Sequence, residues 1–179
     1  VGGIFWFGVD DANTTVYVPF YCGINRVPKV FAEGNGDMLT WSDTSGFWIF
    51  NRVAHFGYLF YNRVIGDIRK VQSELENNFA AYIPAIDAAA AEFWKTDPAG
   101  AREFLTGFSG SMATTTVSRW KELGDFLMVK YMDGNVKQEK EGKFIRNPWN
   151  FPPSPAFPGY PDSWKKTVVD GAGSKLEHP

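Results

Sequence analysis

Cysteine is nearly absent from this sequence. Cys22 is the single one, so an internal disulfide and a zinc cluster built on cysteines are both excluded. Histidine is scarce too, with only His55 and His178, and no convergent set of His, Cys and acidic residues has metal-ligand spacing. Charge of one sign does not dominate: the net charge is −2. No basic stripe stands out that would neutralise a phosphate backbone, so no nucleic acid partner is expected. No apolar run reaches the roughly 20 residues a membrane-spanning helix needs, and no membrane partner is expected. Glycine-rich phosphate loops are missing, since Gly34-Asn35-Gly36 is too short to form one. No Ser/His/Asp or Cys/His pattern points to a complete nucleophilic site. Internal repeats are absent.

Aromatic residues are plentiful, with 16 Phe, 7 Trp and 7 Tyr. They imply either a core of large flat side chains or a surface that packs on a ligand or another chain, so a homo-oligomer is compatible with the composition. One cysteine does not identify a compartment.

The chain is organised around its first 21 residues. Val1 to Val9 and Thr14 to Tyr21 are β-branched, aromatic runs. Asp10-Asp11-Ala12-Asn13 lies between them, rich in residues that hydrogen-bond their own backbone. The pattern predicts a small antiparallel hairpin, with Pro19 at an edge, a bulge or the strand end because it cannot donate a ladder bond. Lys29–Ala32 reads as a short strand. Asp43-Thr44-Ser45 offers helix caps. Phe50, Val53, Gly57, Phe60, Val64, Ile68, Val71, Leu75 and Phe79 then recur at steps of three and four, a helix stripe. A break is expected near Gly66, and Pro84 is expected to end or kink the helix. Ala85 to Lys95 favours helix again. Asp97-Pro98 predicts a restart, with Asp as the cap and Pro in the first helical position. That helix is expected to break at Gly107 and Gly110 and resume over Ser111–Met132, closed by Asp133-Gly134-Asn135. The prolines of Gly142 to Asp162 predict an extended aromatic strap laid on the helices, followed by a short helix at Ser163–Val169 and a polar tail. The fold class is α+β, helix-dominated, with a small antiparallel sheet near the N-terminus. Residues 1–44 are strands and loops, 45–132 helices, and 133–179 strap and tail.

Asp10, Asp11 and Asn13 are the candidate substrate-binding residues, because a loop at strand ends often faces a site and carboxylates can orient a substrate amine. Turn chemistry accounts for the same two carboxylates. Cys22 reads as a small buried hydrophobe. Asn51, Arg52 and His55, with Arg63 and Asp67 further on, read as a structural polar network or a solvated face.

Several blocks carry a family resemblance. Trp6-Phe7-Gly8-Val9-Asp10-Asp11-Ala12 and Thr15-Val16-Tyr17-Val18-Pro19-Phe20-Tyr21 resemble the C-terminal half of the N-terminal-nucleophile cysteine dipeptidases, the dipeptidase A group. Gly34-Asn35-Gly36-Asp37-Met38, Phe47 to Val53, Gly66 to Lys70, Val129 to Gly134 and Phe157-Pro158-Gly159-Tyr160 extend it over nearly the whole chain. The resemblance implies a four-layer αββα amidohydrolase fold and hydrolysis of dipeptides by an N-terminal cysteine, without metal or organic cofactor. The thiol attacks the carbonyl, and the free α-amine can take its proton. In this family the nucleophile stands far upstream of Trp6. The chain is therefore expected to be a C-terminal portion with no catalytic residue of its own, inactive alone and partnered by the missing N-terminal portion. The alternative from another class is a non-catalytic helical binding or interaction module with an aromatic-rich surface.

Overall fold

Strand β1 (Ile4–Phe7) pairs antiparallel with β2 (Val18–Tyr21), with Trp6 opposite Pro19. The Cys22 amide donates to the Gly3 carbonyl at 2.9 Å. That bond sets the parity of the ladder. Gly3/Cys22, Phe5/Phe20 and Phe7/Val18 are hydrogen-bonded pairs, and Trp6/Pro19 is a non-bonded pair. Pro19 therefore forfeits no bond to β1, and its nitrogen faces the outer edge of β2. The Tyr21 amide on that same edge donates to Ser109 Oγ at 3.2 Å. All four residues of β2 are buried, whereas Phe5 and Trp6 of β1 are exposed.

The computed structural model describes residues 2–176, in two units that divide between Leu127 and Met128. The whole is helix-rich α+β, with a second two-stranded antiparallel sheet besides β1–β2. Lys29–Phe31 is a single 3-10 turn after Pro28. It replaces the expected strand because Phe31 turns inward, its ring edge-on to Phe7 at 5.2 Å and Phe20 at 6.1 Å.

Helix α1 spans Gly46–Thr96. Ser45 is its N-cap by backbone position, without a side-chain capping bond. Every residue of the predicted stripe is buried except Phe60, and Phe60 is where the backbone leaves helical geometry (φ −151°, ψ 41°). The break thus falls at Phe60 and not near Gly66. Its cause is tertiary. Arg52 Nη2 donates to the Lys121 carbonyl at 2.9 Å and Asp125 Oδ1 at 2.7 Å, while Glu74 accepts from Arg119 Nη2 at 3.1 Å. In a straight helix residues 52 and 74 would stand about 33 Å apart. Only a change of direction lets both reach the same short stretch of helix α2.

Helix α2 (Pro98–Tyr131) begins as expected. Asp97 Oδ1 accepts the Gly100 amide at 2.9 Å, an N-cap bond to the third helical residue. Asp97→Ala is expected to lower stability by about 1 kcal/mol, read as a fall in the urea midpoint. No change would show that Pro98 alone starts the helix. The second arm of α1 and α2 then form an antiparallel helical hairpin. Ala90 and Leu105 share a buried cluster with Tyr21, and Glu74 meets Arg119 further from the turn.

Pro84 and the glycines of α2 do not interrupt these helices. Pro84 removes one backbone hydrogen bond and crowds the carbonyl of Ala80, yet the backbone stays helical through it, and the alanine-rich run beyond it sustains the helix. Gly107 and Gly110 are carried by packing around them, since Leu105, Ser109 and Ala113 are buried. Phe50 stacks on Trp120, ring centroids 5.4 Å apart, in the fully buried centre.

The segment between β2 and Lys29 is tied to α2 through Glu103. Arg26 Nη1 donates to it at 2.8 Å, and Asn25 Nδ2 donates to its other oxygen. Those two bonds, the Asn25 one foremost, hold the Glu103 carboxyl below its ordinary value of 4.5. A depressed carboxylate contributes stability above its unfolded pKa and loses it as pH falls through its folded one. Acidification below about pH 4.5 should therefore loosen this segment. Faster exchange of the Asn25 amide, which rests on Thr106 Oγ1, is the expected sign. Glu103→Gln should flatten that acid dependence; an unchanged profile would assign it elsewhere.

The second unit was expected to be strap and tail. It holds a hairpin, β3 (Glu139–Lys140) and β4 (Lys143–Phe144). Glu141 and Gly142 turn it with φ of 54° and 79°, the doubly positive geometry that two-residue hairpin loops favour. Val136 and Ala156 exchange both backbone bonds, at 2.7 and 3.0 Å. The proline-rich run is organised by such internal bonds, and Trp149, Phe151, Phe157 and Tyr160 are exposed. Helix α3 (Asp162–Ala172) is longer than expected, and Tyr160 stacks on its Trp164 at 4.2 Å. The end of the tail, including His178, lies outside the described residues.

Candidate functional site

The loop between β1 and β2 meets the bend of α1. Gly8 starts it because the strands close tightly there: a Cβ would stand 2.9 Å from Thr15 Cγ2 and 3.1 Å from Tyr17 Cε1. The Val9 amide donates to Thr15 Oγ1 at 3.1 Å. Asp10 takes the left-handed conformation (φ 67°), which Asp tolerates better than most residues. Asp11 does the turn work. Its carbonyl accepts the Thr14 amide at 3.1 Å, and its Oδ2 accepts the Thr14 hydroxyl at 3.0 Å.

Side chains from α1 then hold the returning strand. Gln72 Nε2 donates to the Thr15 carbonyl at 2.7 Å, and Glu76 Oε1 accepts the Tyr17 amide at 3.1 Å. Thr14, Thr15 and Val16 are buried beneath. Gly57 faces them, and a Cβ there would meet Thr14 Cγ2 at 3.4 Å, an ordinary contact distance.

Two tyrosines flank the bend at Phe60, and each reaches the loop. Tyr61 Oη accepts from Asn13 Nδ2 at 2.7 Å, and Tyr58 Oη donates to Asp10 Oδ1 at 3.4 Å. His55 stands edge-on to Tyr58, ring centroids 6.5 Å apart. The charge of Asp10 raises the Tyr58 pKa above 10.0; partial desolvation, the charge of Asp11 and the bond to Asp10 add to it. Tyr58 is thus a neutral hydroxyl at ordinary pH. Asp10, Asp11, Asn13, Tyr58 and Tyr61 form an acceptor-rich, net negative cluster, suited to an ammonium group.

Arg52 does not join it. Arg52 turns away to Asp125 and the Lys121 carbonyl, its guanidinium lying where a Cβ on Gly124 would be. Its Nε is buried without a partner among the described residues. Arg52 and His55 are therefore not one network. Cys22 lies at the opposite end of the hairpin and is exposed, not buried as its residue type suggests. Beyond it the chain must leave the sheet, which removes cover from the thiol. No hydrogen bond links that thiol to a base among the described residues.

Residues 1–74 match the model of peptidase family C69. The resemblance to the dipeptidase A group thus holds over β1, the acidic loop, β2 and the bend of α1, and every residue of the Asp10–Tyr61 cluster falls inside the C69 segment. No curated protein and no solved structure matches the chain. Tyr58 and Tyr61 escaped sequence reasoning. Their three-residue spacing off the buried stripe was a signal, but only the bend aims them at the loop.

Proposed function

We propose that this chain is the C-terminal part of a cysteine dipeptidase, and that the Asp10 loop receives the free α-ammonium of the dipeptide. The observation that carries the reading is the convergence of Asp10, Asn13, Tyr58 and Tyr61 at the bend of α1, within the C69 segment. Asp10 offers a carboxylate oxygen and the phenols offer lone pairs, so an ammonium finds a charged and two neutral acceptors. Tyr58, kept protonated by the neighbouring carboxylates, has one proton to give, to Asp10 or to a polar group of the substrate. The nucleophile is an upstream N-terminal cysteine, whose own α-amine takes the thiol proton while preset donors hold the developing oxyanion. The open side of the sheet is consistent with further strands in an αββα sandwich. By the parity of the ladder, the Ile4 and Trp6 peptide groups point away from β2, and they have no partner among the described residues.

In the full-length protein, Asp10→Asn is expected to lower kcat/KM for a free-amine dipeptide by about 10–100-fold, a loss of roughly 1.4–2.8 kcal/mol. Most of that loss should lie in KM, and the preference over the N-acetylated dipeptide should shrink in parallel. Cys22→Ala should leave turnover intact. An Asp10→Asn enzyme that keeps its preference, or loss of activity in Cys22→Ala, would overturn the assignment. The exposed aromatics of the second unit favour a second reading, an interaction module. A full-length protein without dipeptide turnover would select it.

A further inference from the structure

The middle of α2 contains two glycines that the protein's own packing does not require. Gly107 and Gly110 have no atom within 4 Å of where a Cβ would stand. Each weakens a helix interior by about 1 kcal/mol relative to alanine. Both instead form the bare floor of a groove of about 710 Å³, a size typical of small-molecule sites.

The walls of this groove carry donors. Arg26 and Lys29 line one side, and Thr106, Ser111, Thr114 and Thr115 line the helix side. Glu103 offsets the charge of Arg26. The Lys29 ammonium has no acidic partner among the described residues and supplies the unbalanced positive charge. The Thr106 and Thr114 hydroxyls donate to helix carbonyls at 2.8 and 2.9 Å. Those of Ser111 and Thr115 have no partner among the described residues and remain available.

Across Val27 and Pro28, which line both, the groove adjoins an apolar hollow of about 380 Å³ walled by Phe5, Phe20, Tyr21 and Phe31. A cationic, hydroxyl-rich compartment beside an aromatic one selects for an amphipathic ligand. We propose that this double groove binds a small organic carboxylate with an aromatic or aliphatic body. Its head lies over Gly107 and Gly110, facing Lys29, and its body lies in the aromatic hollow. The site borders the Cys22 end of the hairpin, whereas the Asp10 loop is at the Gly8 end, so it stands apart from the proposed ammonium site and needs no catalytic activity to be detected.

The test is calorimetric titration of the 179-residue chain with N-acetyl-phenylalanine and with its primary amide. The acid should bind saturably and the amide at least about tenfold more weakly, the counterpart of about 1.4 kcal/mol. Lys29→Ala should weaken the acid about tenfold. Gly110→Leu fills the floor with a better helix former and should abolish binding while the far-UV spectrum and melting temperature hold. Equal binding of acid and amide, binding of neither, or full binding by Gly110→Leu would overturn the proposal.

Discussion

Trp120→Ala is expected to destabilise the first unit by about 3–5 kcal/mol, the range for truncating a buried large aromatic. Trp120 is the largest fully buried side chain. It stacks on Phe50 from the first arm of α1, its planes 23° from parallel, close to where Arg119 receives Glu74 from the second arm. Removing it opens a cavity at the point where both arms meet α2, and rigid helices collapse poorly into such a space. Trp120→Phe should cost less than half as much. The phenyl ring keeps contact with Phe50, and the change deletes an indole N–H that is buried without a partner among the described residues. An unmet buried donor carries a penalty of about 1–3 kcal/mol. Urea unfolding followed by far-UV dichroism tests both. An alanine variant within about 1 kcal/mol of the parent would show that Trp120 is not the keystone of this packing.

The next largest effect comes from adding one methyl group. Gly46→Ala should destabilise by about 1–3 kcal/mol, the usual cost of overpacking. A Cβ there would press into the Phe31 ring and stand 3.1 Å from the Val30 carbonyl. Phe31 cannot retreat, because Phe7, Phe20 and Phe50 surround it at 5.2 to 6.3 Å. Gly66→Ala is the matched comparison. That glycine also lies in α1, but nothing stands within 4 Å of its Cβ position, so alanine should stabilise by about 0.4–1 kcal/mol. Opposite signs in the two melting curves would confirm that space, not helix propensity, decides at Gly46. Equal signs would refute it.

What could be read from the residues was what local chemistry decides. The stripe from Phe50 to Phe79 and the Asp97-Pro98 restart are written in neighbouring residues, and the structure contains both. The Asp10–Asn13 loop was legible as a turn because Asp and Asn tolerate its backbone geometry. The bend was not legible. Gly66 looks like a breaker, yet the helix passes through it and breaks at Phe60, because Arg52 and Glu74 must reach one part of α2. Gly107 and Gly110 misled in the same way, since Leu105, Ser109 and Ala113 keep that helix whole. The Glu139–Phe144 hairpin was missed because its turn places Glu at positive φ, where Asn or Asp is the usual cue. Tyr58 and Tyr61 could not be joined to the loop from sequence, because their partners lie 48 residues away.

The way β2 is held has a consequence for the order of assembly. Its neighbours on the helices reach it and the residues leading into it over long loops: Ser109 bonds Tyr21 across 88 residues, Asp87 takes the Tyr21 hydroxyl across 66, and Gln72 reaches Thr15 across 57. The second arm of α1 and α2, by contrast, close on each other through a single turn at Asp97. Contacts near in sequence form with less loss of chain entropy than distant ones. The helical hairpin is therefore the natural early structure, and the strand is a late guest that docks on a surface already made. Mutations at Ala90 or Leu105 should slow refolding, while mutations at Thr15 or Tyr21 should mainly quicken unfolding.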